Sequence, residues 1–264
     1  MKWQTKPRAG RGDTVLVVTA HPDDEVYAHG AAIATFSECG ARVVLRIASG
    51  GEAAEPGSAN MSTEEARRRR APRLTASCAT LGVDSWDWID EGRWIDTGSR
   101  RTRDSLTSAN PGDLADAIAS HIRDVSPDIV LTVASDGLTG HPDHILVHHA
   151  AVSAAHACRT PVFASYLLPD DITRGHALLA GFLPGVTVGS GRMTGLTPVK
   201  RAPFEAPPQA GAIRRTALDH YAPGLGTLPL GELVASHPGR GDGLLLRAVY
   251  DAVGWHVERY TAVT

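Results

Sequence analysis

Cysteine is scarce in this chain of 264 residues. The three cysteines, Cys39, Cys78 and Cys158, lie far apart and form no CxxC pair. A disulfide framework or a thiolate zinc site needs more cysteines, or cysteines at closer spacing. The sequence therefore predicts neither kind of site.

A surplus of positive charge is also missing. The formal net charge is -3, and the only dense basic run is Arg67 to Arg70. A protein that follows a phosphate backbone must neutralise it with many lysines and arginines, so we expect no nucleic-acid partner.

Long apolar runs are absent as well. No segment approaches the roughly 18 consecutive apolar residues of a membrane helix. The first twelve residues, MKWQTKPRAGRG, are polar and lack the apolar core of a signal peptide. We therefore expect a cytoplasmic protein with no membrane span.

What the sequence does contain is an alternation of short apolar runs and helix-length segments. With 42% hydrophobic residues, the chain can bury a core of ordinary size. The runs at 14–20, 42–48, 86–89, 128–134 and 162–168 are typical of buried strands, and the segments 26–39, 63–81, 113–125 and 142–157 of helices. This βαβ rhythm predicts an α/β fold, a Rossmann-like three-layer sandwich with a mainly parallel sheet.

We predict a single domain over residues 1–264. Its core should span about residues 12–169, and residues 170–264 should add strands, loops and a helix that complete the pocket. The segment 170–208 is rich in Gly, Pro and Thr without clear periodicity, so we expect strands and loops there.

A dinucleotide site is the obvious alternative for this rhythm. Such a site needs glycines directly after the first strand, where the backbone approaches the pyrophosphate. The sequence has His21-Pro-Asp-Asp-Glu25 at that place, which would meet a phosphate with carboxylates. The sequence therefore argues against dinucleotide binding.

The crowded acidic turn favours a metal ion. His21 and Asp24 can present a nitrogen and an oxygen to one zinc-like ion, whose charge offsets the repulsion. A third ligand is needed, and the cluster at 139–150, TGHPDHILVHHA, again follows a predicted strand and begins a predicted helix. Neighbouring parallel strands would bring both clusters to one edge of the sheet. Two alternatives stay open: the first turn could be a plain helix cap, and His148 could bind metal with His144, four residues earlier.

The two motifs together carry a resemblance. His21-Pro-Asp-Asp24, followed by Glu25, and the later His141-Pro-Asp-His144 resemble the zinc-dependent de-N-acetylase (LmbE-like) family, which includes N-acetylglucosaminyl-phosphatidylinositol deacetylase and the mycothiol- and bacillithiol-pathway deacetylases. Segments 49–57, 70–83 and 217–220 are similar to further parts of that family.

The resemblance implies roles for six residues. The metal ligands would be His21, Asp24 and His144, holding Zn²⁺, with Fe²⁺ or Co²⁺ as chemically suitable substitutes. The catalytic residues would be Asp23 as general base, His141 as the group that assists the oxyanion and the leaving amine, and Asp143 as its neighbour.

It also implies substrate contacts, which we place at Arg70, Asp90, Ser49 and Gly50. For Arg70 the alternative is a solvated face of the four-arginine run. Two departures from the family matter, because Thr139 stands where several relatives have a tyrosine and Arg73 where a glutamate is common.

The function we expect is removal of an N-acetyl or other small acyl group from an amino sugar or an aminoglycoside-like glycoside, a small-molecule substrate. The alternatives are an amidase acting on mycothiol-type thiol conjugates and a metal-bearing sugar-binding protein without catalysis. A general base at Asp23 argues against the binding protein. The sequence leaves open whether the chain forms a homo-oligomer.

Overall fold

The computed structural model describes residues 6–98, 100–198, 202–237 and 239–263. The strands are β1 (Thr14–Thr19), β2 (Arg42–Ile47), β3 (Ser85–Trp88), β4 (Ile129–Val133), β5 (Val162–Ser165), β6 (Ala202–Glu205) and β7 (Val257–Val263). The α-helices are α1 (Asp24–Glu38), α2 (Thr63–Leu81), α3 (Pro111–Val125), α4 (Gly137–Gly140), α5 (Pro142–Ala157), α6 (Pro169–Ala180), α7 (Pro208–Asp219), α8 (Leu230–Ser236) and α9 (Asp242–Val253). In these ranges no helix is long and apolar enough to cross a membrane.

All seven strands form one sheet in the order β3-β2-β1-β4-β5-β7-β6. The first five of these are parallel to one another. Strand β7 is antiparallel to β5, and β6 is antiparallel to β7. The predicted α/β sandwich with a mainly parallel sheet is confirmed.

Burial on both faces explains why the strands are continuous apolar runs. In β1, Val15 and Val17 pack into the core formed with α1, α2, α7 and α9. Leu16 and Val18 point to the other face and pack with α3 and α5. A strand covered by helices on both sides has no polar face, so it shows no alternation in the sequence.

The helix in residues 169–180 corrects one sequence-based expectation. We predicted strands and loops from 170 to 208, but α6 occupies the beginning of that segment. Pro169 stands in its first turn, and the Asp171 carboxylate accepts a hydrogen bond from the backbone N–H of Leu168. Proline and acidic residues are favoured at a helix start, and the Gly-rich irregular stretch follows only after this helix.

The order of the strands places the two histidine motifs together. Strands β1 and β4 are parallel neighbours, so their carboxyl ends lie at the same edge of the sheet. His21 follows β1, and the segment leading to His141 follows β4. The prediction that both motifs share one edge is confirmed, and this edge is where open α/β sheets bind ligands.

Candidate metal centre and active site

The turn after β1 is closed by its own acidic residue. The Asp24 carboxylate accepts a hydrogen bond from the backbone N–H of His21 at 2.9 Å. Asp23 then takes a left-handed backbone conformation with φ 99° and ψ -24°, and its side chain makes no capping bond to α1. The alternative of a plain helix cap therefore fails for Asp23, whose carboxylate makes no capping bond to the helix.

The turn after β4 orients His144. Helix α4 contains a kink at Leu138, which has φ 61°, and the Asp136 carboxylate accepts the Leu138 backbone N–H at 3.0 Å. This turn presents the carbonyl of Gly137 to His144, whose Nδ1 donates to it at 2.9 Å. The Nε2 lone pair of His144 is therefore free to bind a cation.

His21 is oriented in the same manner through its other nitrogen. Its Nε2 donates to the Asp143 carboxylate at 3.1 Å, which leaves Nδ1 as an acceptor. His21 Nδ1 lies 3.1 Å from His144 Nε2, and that atom lies 3.2 Å from an oxygen of Asp24. When the His21 ring is neutral, His21 Nδ1, His144 Nε2 and the Asp24 carboxylate are three neighbouring acceptors without a donor between them.

We call His21, Asp24, Asp143 and His144 the metal cluster. Ligand atoms about 2.0–2.1 Å from a tetrahedral ion lie roughly 3.4 Å from each other, so the separations in the cluster suit a divalent metal. Burial opposes a charge on His21, but the hydrogen bond to Asp143 and the nearby carboxylates outweigh it and raise the pKa of His21 to about 10. A metal ion must therefore displace a proton from this ring, because both supply the same missing positive charge.

His148 does not belong to this cluster. Its Nδ1 donates to the carbonyl of Val133 at 2.7 Å, and the ring is buried. Among the described residues, the histidines whose ligand atoms approach within 4.8 Å of one another are His21, His141 and His144. His141 is therefore a closer neighbour of the ion position than His148.

His141 is held as a hydrogen-bond donor facing away from its own helix. It caps α5, where its Nδ1 accepts the backbone N–H of Asp143 at 3.2 Å. In the neutral ring the proton is then on Nε2. Burial, together with His21 and His144, lowers the pKa of His141 to about 4, so the neutral donor is the form this environment favours.

The Asp23 side chain is partly exposed and lies beside Arg70. It is 31% exposed, and a carboxylate oxygen lies 3.7 Å from the Arg70 guanidinium. Desolvation raises the pKa of Asp23 to about 7, although the charge of Arg70 pulls it down. A carboxyl group with this pKa can take up and release a proton near neutral pH.

The comparison with known proteins agrees with this geometry. The family model PIG-L, described as GlcNAc-PI de-N-acetylase, matches residues 16–155, which is more than half of the chain. The chain belongs to the PIG-L family. The matched span contains both histidine motifs and therefore the whole metal cluster.

A PIG-L relative from Kineococcus radiotolerans, named 1D-myo-inositol 2-acetamido-2-deoxy-alpha-D-glucopyranoside deacetylase, is 36% identical over 158 residues. The match covers 53% of this chain and 44% of that protein. The chain spans about half the length of the curated relatives that it matches first.

Solved structures share the fold. A deacetylase of the teicoplanin biosynthetic pathway superposes with a TM-score of 0.62 at 21% identity, covering 95% of this chain and 98% of the other. The 4-carboxy-2-hydroxymuconate hydratase GalB from Pseudomonas putida superposes with 0.59 at 19% identity, covering 96% of each chain. The fold alone therefore does not decide the reaction, and the residues of the site must.

Asp143 lies beside two histidines, His141 and His21. Its backbone N–H donates to His141, so it is the neighbour of that residue as we predicted, and its carboxylate contacts the His21 ring. Its other oxygen, Oδ1, is buried without a hydrogen-bond partner among the residues that the structure describes. The Asp143 carboxylate therefore orients the His21 ring.

The four predicted substrate contacts lie in different surroundings. Arg70 is buried and contacts Pro22, so the solvated alternative holds for its neighbours Arg68 and Arg69, which are exposed. Ser49 is fully buried and its hydroxyl donates to the Ala20 carbonyl.

Gly50 is also buried, and a side chain there would collide with Glu52 and Arg67. Asp90 is 43% exposed and pairs with Arg93 at 3.3 Å, outside the metal cluster.

Asp96 is the site residue that the sequence did not reveal. It is buried, and one of its oxygens lies within 4.8 Å of ligand atoms of His21 and Asp143. Its backbone N–H donates to the buried Glu52 at 2.8 Å, which fixes it beside the cluster. Asp90 and Asp96 both follow β3, and only the path of the loop brings the second of them to the site.

Proposed function

We propose that this protein is a metal-dependent hydrolase that removes an N-acetyl or similarly small acyl group from an amino sugar or an aminoglycoside-like glycoside. The proposal rests on the different surroundings of Asp23 and Asp24 in the first turn. The Asp24 carboxylate faces His144, whereas the Asp23 carboxylate lies beside Arg70 and is partly exposed. A protein that only bound a metal and a sugar would have no use for such a base.

The donor set of two imidazoles and one carboxylate suits Zn²⁺, which we propose as the ion, and Fe²⁺ or Co²⁺ would also suit it. When bound, the ion would supply positive charge that acidifies a water molecule and polarises the acyl carbonyl. His21, Asp24 and His144 would hold it, and Asp143 would keep the His21 ring in the required tautomer.

The chain's own residues then account for the proton transfers. As a water oxygen attacks the acyl carbon, Asp23 takes one water proton, and the Nε2–H of the neutral His141 donates a hydrogen bond to the carbonyl oxygen that becomes negative. When the carbon–nitrogen bond breaks, Asp23 returns its proton to the departing nitrogen. The products are a free amine and a carboxylic acid, which ionises by releasing its own proton to water.

His141 is therefore a hydrogen-bond donor in this account and Asp23 the proton carrier. Thr139 leaves no phenol two residues before His141, so stabilisation of the oxyanion rests on His141 and the ion. The substrate class follows from the family and from relatives named as deacetylases of an N-acetylglucosamine inositol glycoside.

A screen for released acetate tests the proposal. The metal-loaded protein should be incubated with N-acetylglucosamine, with 1D-myo-inositol 2-acetamido-2-deoxy-α-D-glucopyranoside and with N-acetylated aminoglycosides. We expect acetate and free amine in equal amounts from at least one of them, and loss of both products in Asp23→Ala. Failure to hydrolyse any compound of this panel would contradict the proposed substrate class.

A further inference from the structure

The peptide bond between Pro22 and Asp23 is held from both sides by opposite charges. Its carbonyl oxygen accepts a hydrogen bond from Arg70 at 2.6 Å. Its N–H donates to the Glu25 carboxylate at 2.9 Å. A peptide unit that is fixed at both its donor and its acceptor cannot rotate. The next unit is held as well, because the Asp23 carbonyl accepts the N–H groups of Val26 and Tyr27, so the φ angle of Asp23 is fixed between the two.

The two hydrogen bonds hold Asp23 in an unfavourable backbone conformation. Asp23 has φ 99°, a value that side-chain-bearing residues rarely adopt. Such a conformation is energetically unfavourable and persists only where the surroundings enforce it. Without the two contacts, the Asp23 backbone would relax and move its carboxylate relative to the metal cluster.

Glu25 is itself held by two other parts of the chain. Its second oxygen accepts hydrogen bonds from Ser77 of α2 at 2.7 Å and from Tyr221, which follows α7, at 2.5 Å. Glu25 is fully buried, so every contact it makes is with protein. Tyr221 thereby connects the C-terminal part of the chain to the turn that carries Asp23.

We propose that Glu25, supported by Tyr221 and Ser77, is a positioning residue that acts with Arg70 to hold Asp23 in its strained catalytic conformation. This inference rests on the proposed function, in which Asp23 is the base. It gives Arg70 a role in the backbone of the first turn, and it gives the C-terminal segment a part in catalytic geometry.

A double-mutant cycle separates positioning from general stability. Tyr221→Phe removes one hydroxyl and keeps the ring, and its effect on kcat is measured with the inositol glycoside of N-acetylglucosamine as substrate. We expect kcat to fall about fivefold or more with KM and metal content unchanged, because a small displacement of a base costs rate. In an Asp23→Ala background the same substitution should change kcat less than about twofold. Equal losses in both backgrounds would overturn the proposal.

Tyr250→Phe is the matched control. Tyr250 is another buried tyrosine of the C-terminal part, and its hydroxyl donates to the carbonyl of Tyr27, away from Glu25. We expect it to lower thermal stability as much as Tyr221→Phe does while leaving kcat unchanged. A similar fall of kcat in Tyr250→Phe would mean that loosening any buried contact suffices, and would overturn the proposal.

A measurement without turnover keeps the two proposals distinguishable. Hydrogen exchange at the Asp23 amide, followed by NMR, should be about tenfold faster in Tyr221→Phe and unchanged in Tyr250→Phe. Unchanged exchange in Tyr221→Phe would refute the positioning role whatever the enzyme does. Normal turnover in Asp23→Ala would instead refute the role of Asp23 as the base. The exchange data would still decide whether Tyr221 and Glu25 hold the turn.

Discussion

Two buried groups of charges meet helix α1, and they are built in opposite ways. Along its side lies the Arg214 anchor, which we define as Arg214, Tyr250, Trp255, Glu258 and Tyr260. The guanidinium donates to the carbonyls of Val26, Tyr27 and Trp255, and it lies 3.8 Å from the centre of the Tyr250 ring. Glu258 lies 3.6 Å from Arg214 and accepts hydrogen bonds from Ala31, Ala32 and Tyr260.

The metal cluster at the start of α1 lacks such pairing. When its histidines are neutral, the neighbouring atoms of His21, Asp24 and His144 are all acceptors, and Asp143 keeps one buried oxygen without a hydrogen-bond partner in the described ranges. The anchor is complete as folded, whereas the cluster needs a cation. Burial alone therefore does not mark a functional site, and the useful signal is a buried polar group that the protein leaves unmatched.

Removing a ligand should give the largest effect and test this contrast most severely. His144→Ala removes one of the three proposed ligands, so we expect metal content to fall well below one ion per chain and activity to fall on the order of 10³-fold or more. Metal analysis and acetate release on the same samples measure both. His148→Ala is the matched control and should keep its metal. Full metal content in His144→Ala would transfer the ligand role to His148.

Breaking the anchor should instead reduce stability and spare catalysis. Arg214→Met leaves Glu258 buried without its positive partner, which costs about 3–5 kcal/mol and lowers Tm by about 10 °C in a chain of this size. We expect the folded fraction to keep its metal and its kcat. Glu65→Ala, which removes an exposed pair with Arg68 and Arg69, should change stability by less than about 1 kcal/mol. A large loss of kcat in folded Arg214→Met would mean that the two regions are coupled.

The pH dependence of the metal-free protein should give the smallest of the three effects. The pKa of Asp23 is raised from 3.8 to about 7, so between those values the folded chain holds a proton that the unfolded chain has lost. The stability contributed by Asp23 is therefore lost as pH rises through this window. Asp23→Asn cannot ionise, and its Tm relative to wild type should rise by about 6 °C between about pH 5 and pH 8. Thermal unfolding in the presence of a chelator measures this, and a constant difference would contradict it.

Much of this could be predicted from the sequence, because local patterns carry it. Apolar runs separated by helix-length segments predicted the parallel strands, and the position of each His-Pro motif after a strand predicted one shared edge. Helix α6 was missed because its start signals, Pro169 and Asp171, lie beside a Gly-rich stretch that dominated the composition.

The residues that surround and orient the proposed ligands and base could not be predicted, because their positions depend on tertiary contacts. Asp96 reaches the cluster through a loop whose path is set by Glu52, and nothing in its spacing distinguishes it from Asp90. Tyr221 lies 196 residues from Glu25 along the chain, so no local pattern links them. The contact of the Asp143 carboxylate with His21 could not be predicted either, because it joins the start of α5 to the turn after β1.

The most direct test of the account is Asp23→Ala, purified with its full metal content and measured for kcat/KM. The central claim is that Asp24 binds the ion while Asp23, the adjacent residue, moves the proton. We predict one metal ion per chain, as in wild type, together with a loss of turnover on the order of 10²-fold or more. Turnover close to wild type in the metal-loaded variant would contradict the claim, and so would loss of the metal along with the activity.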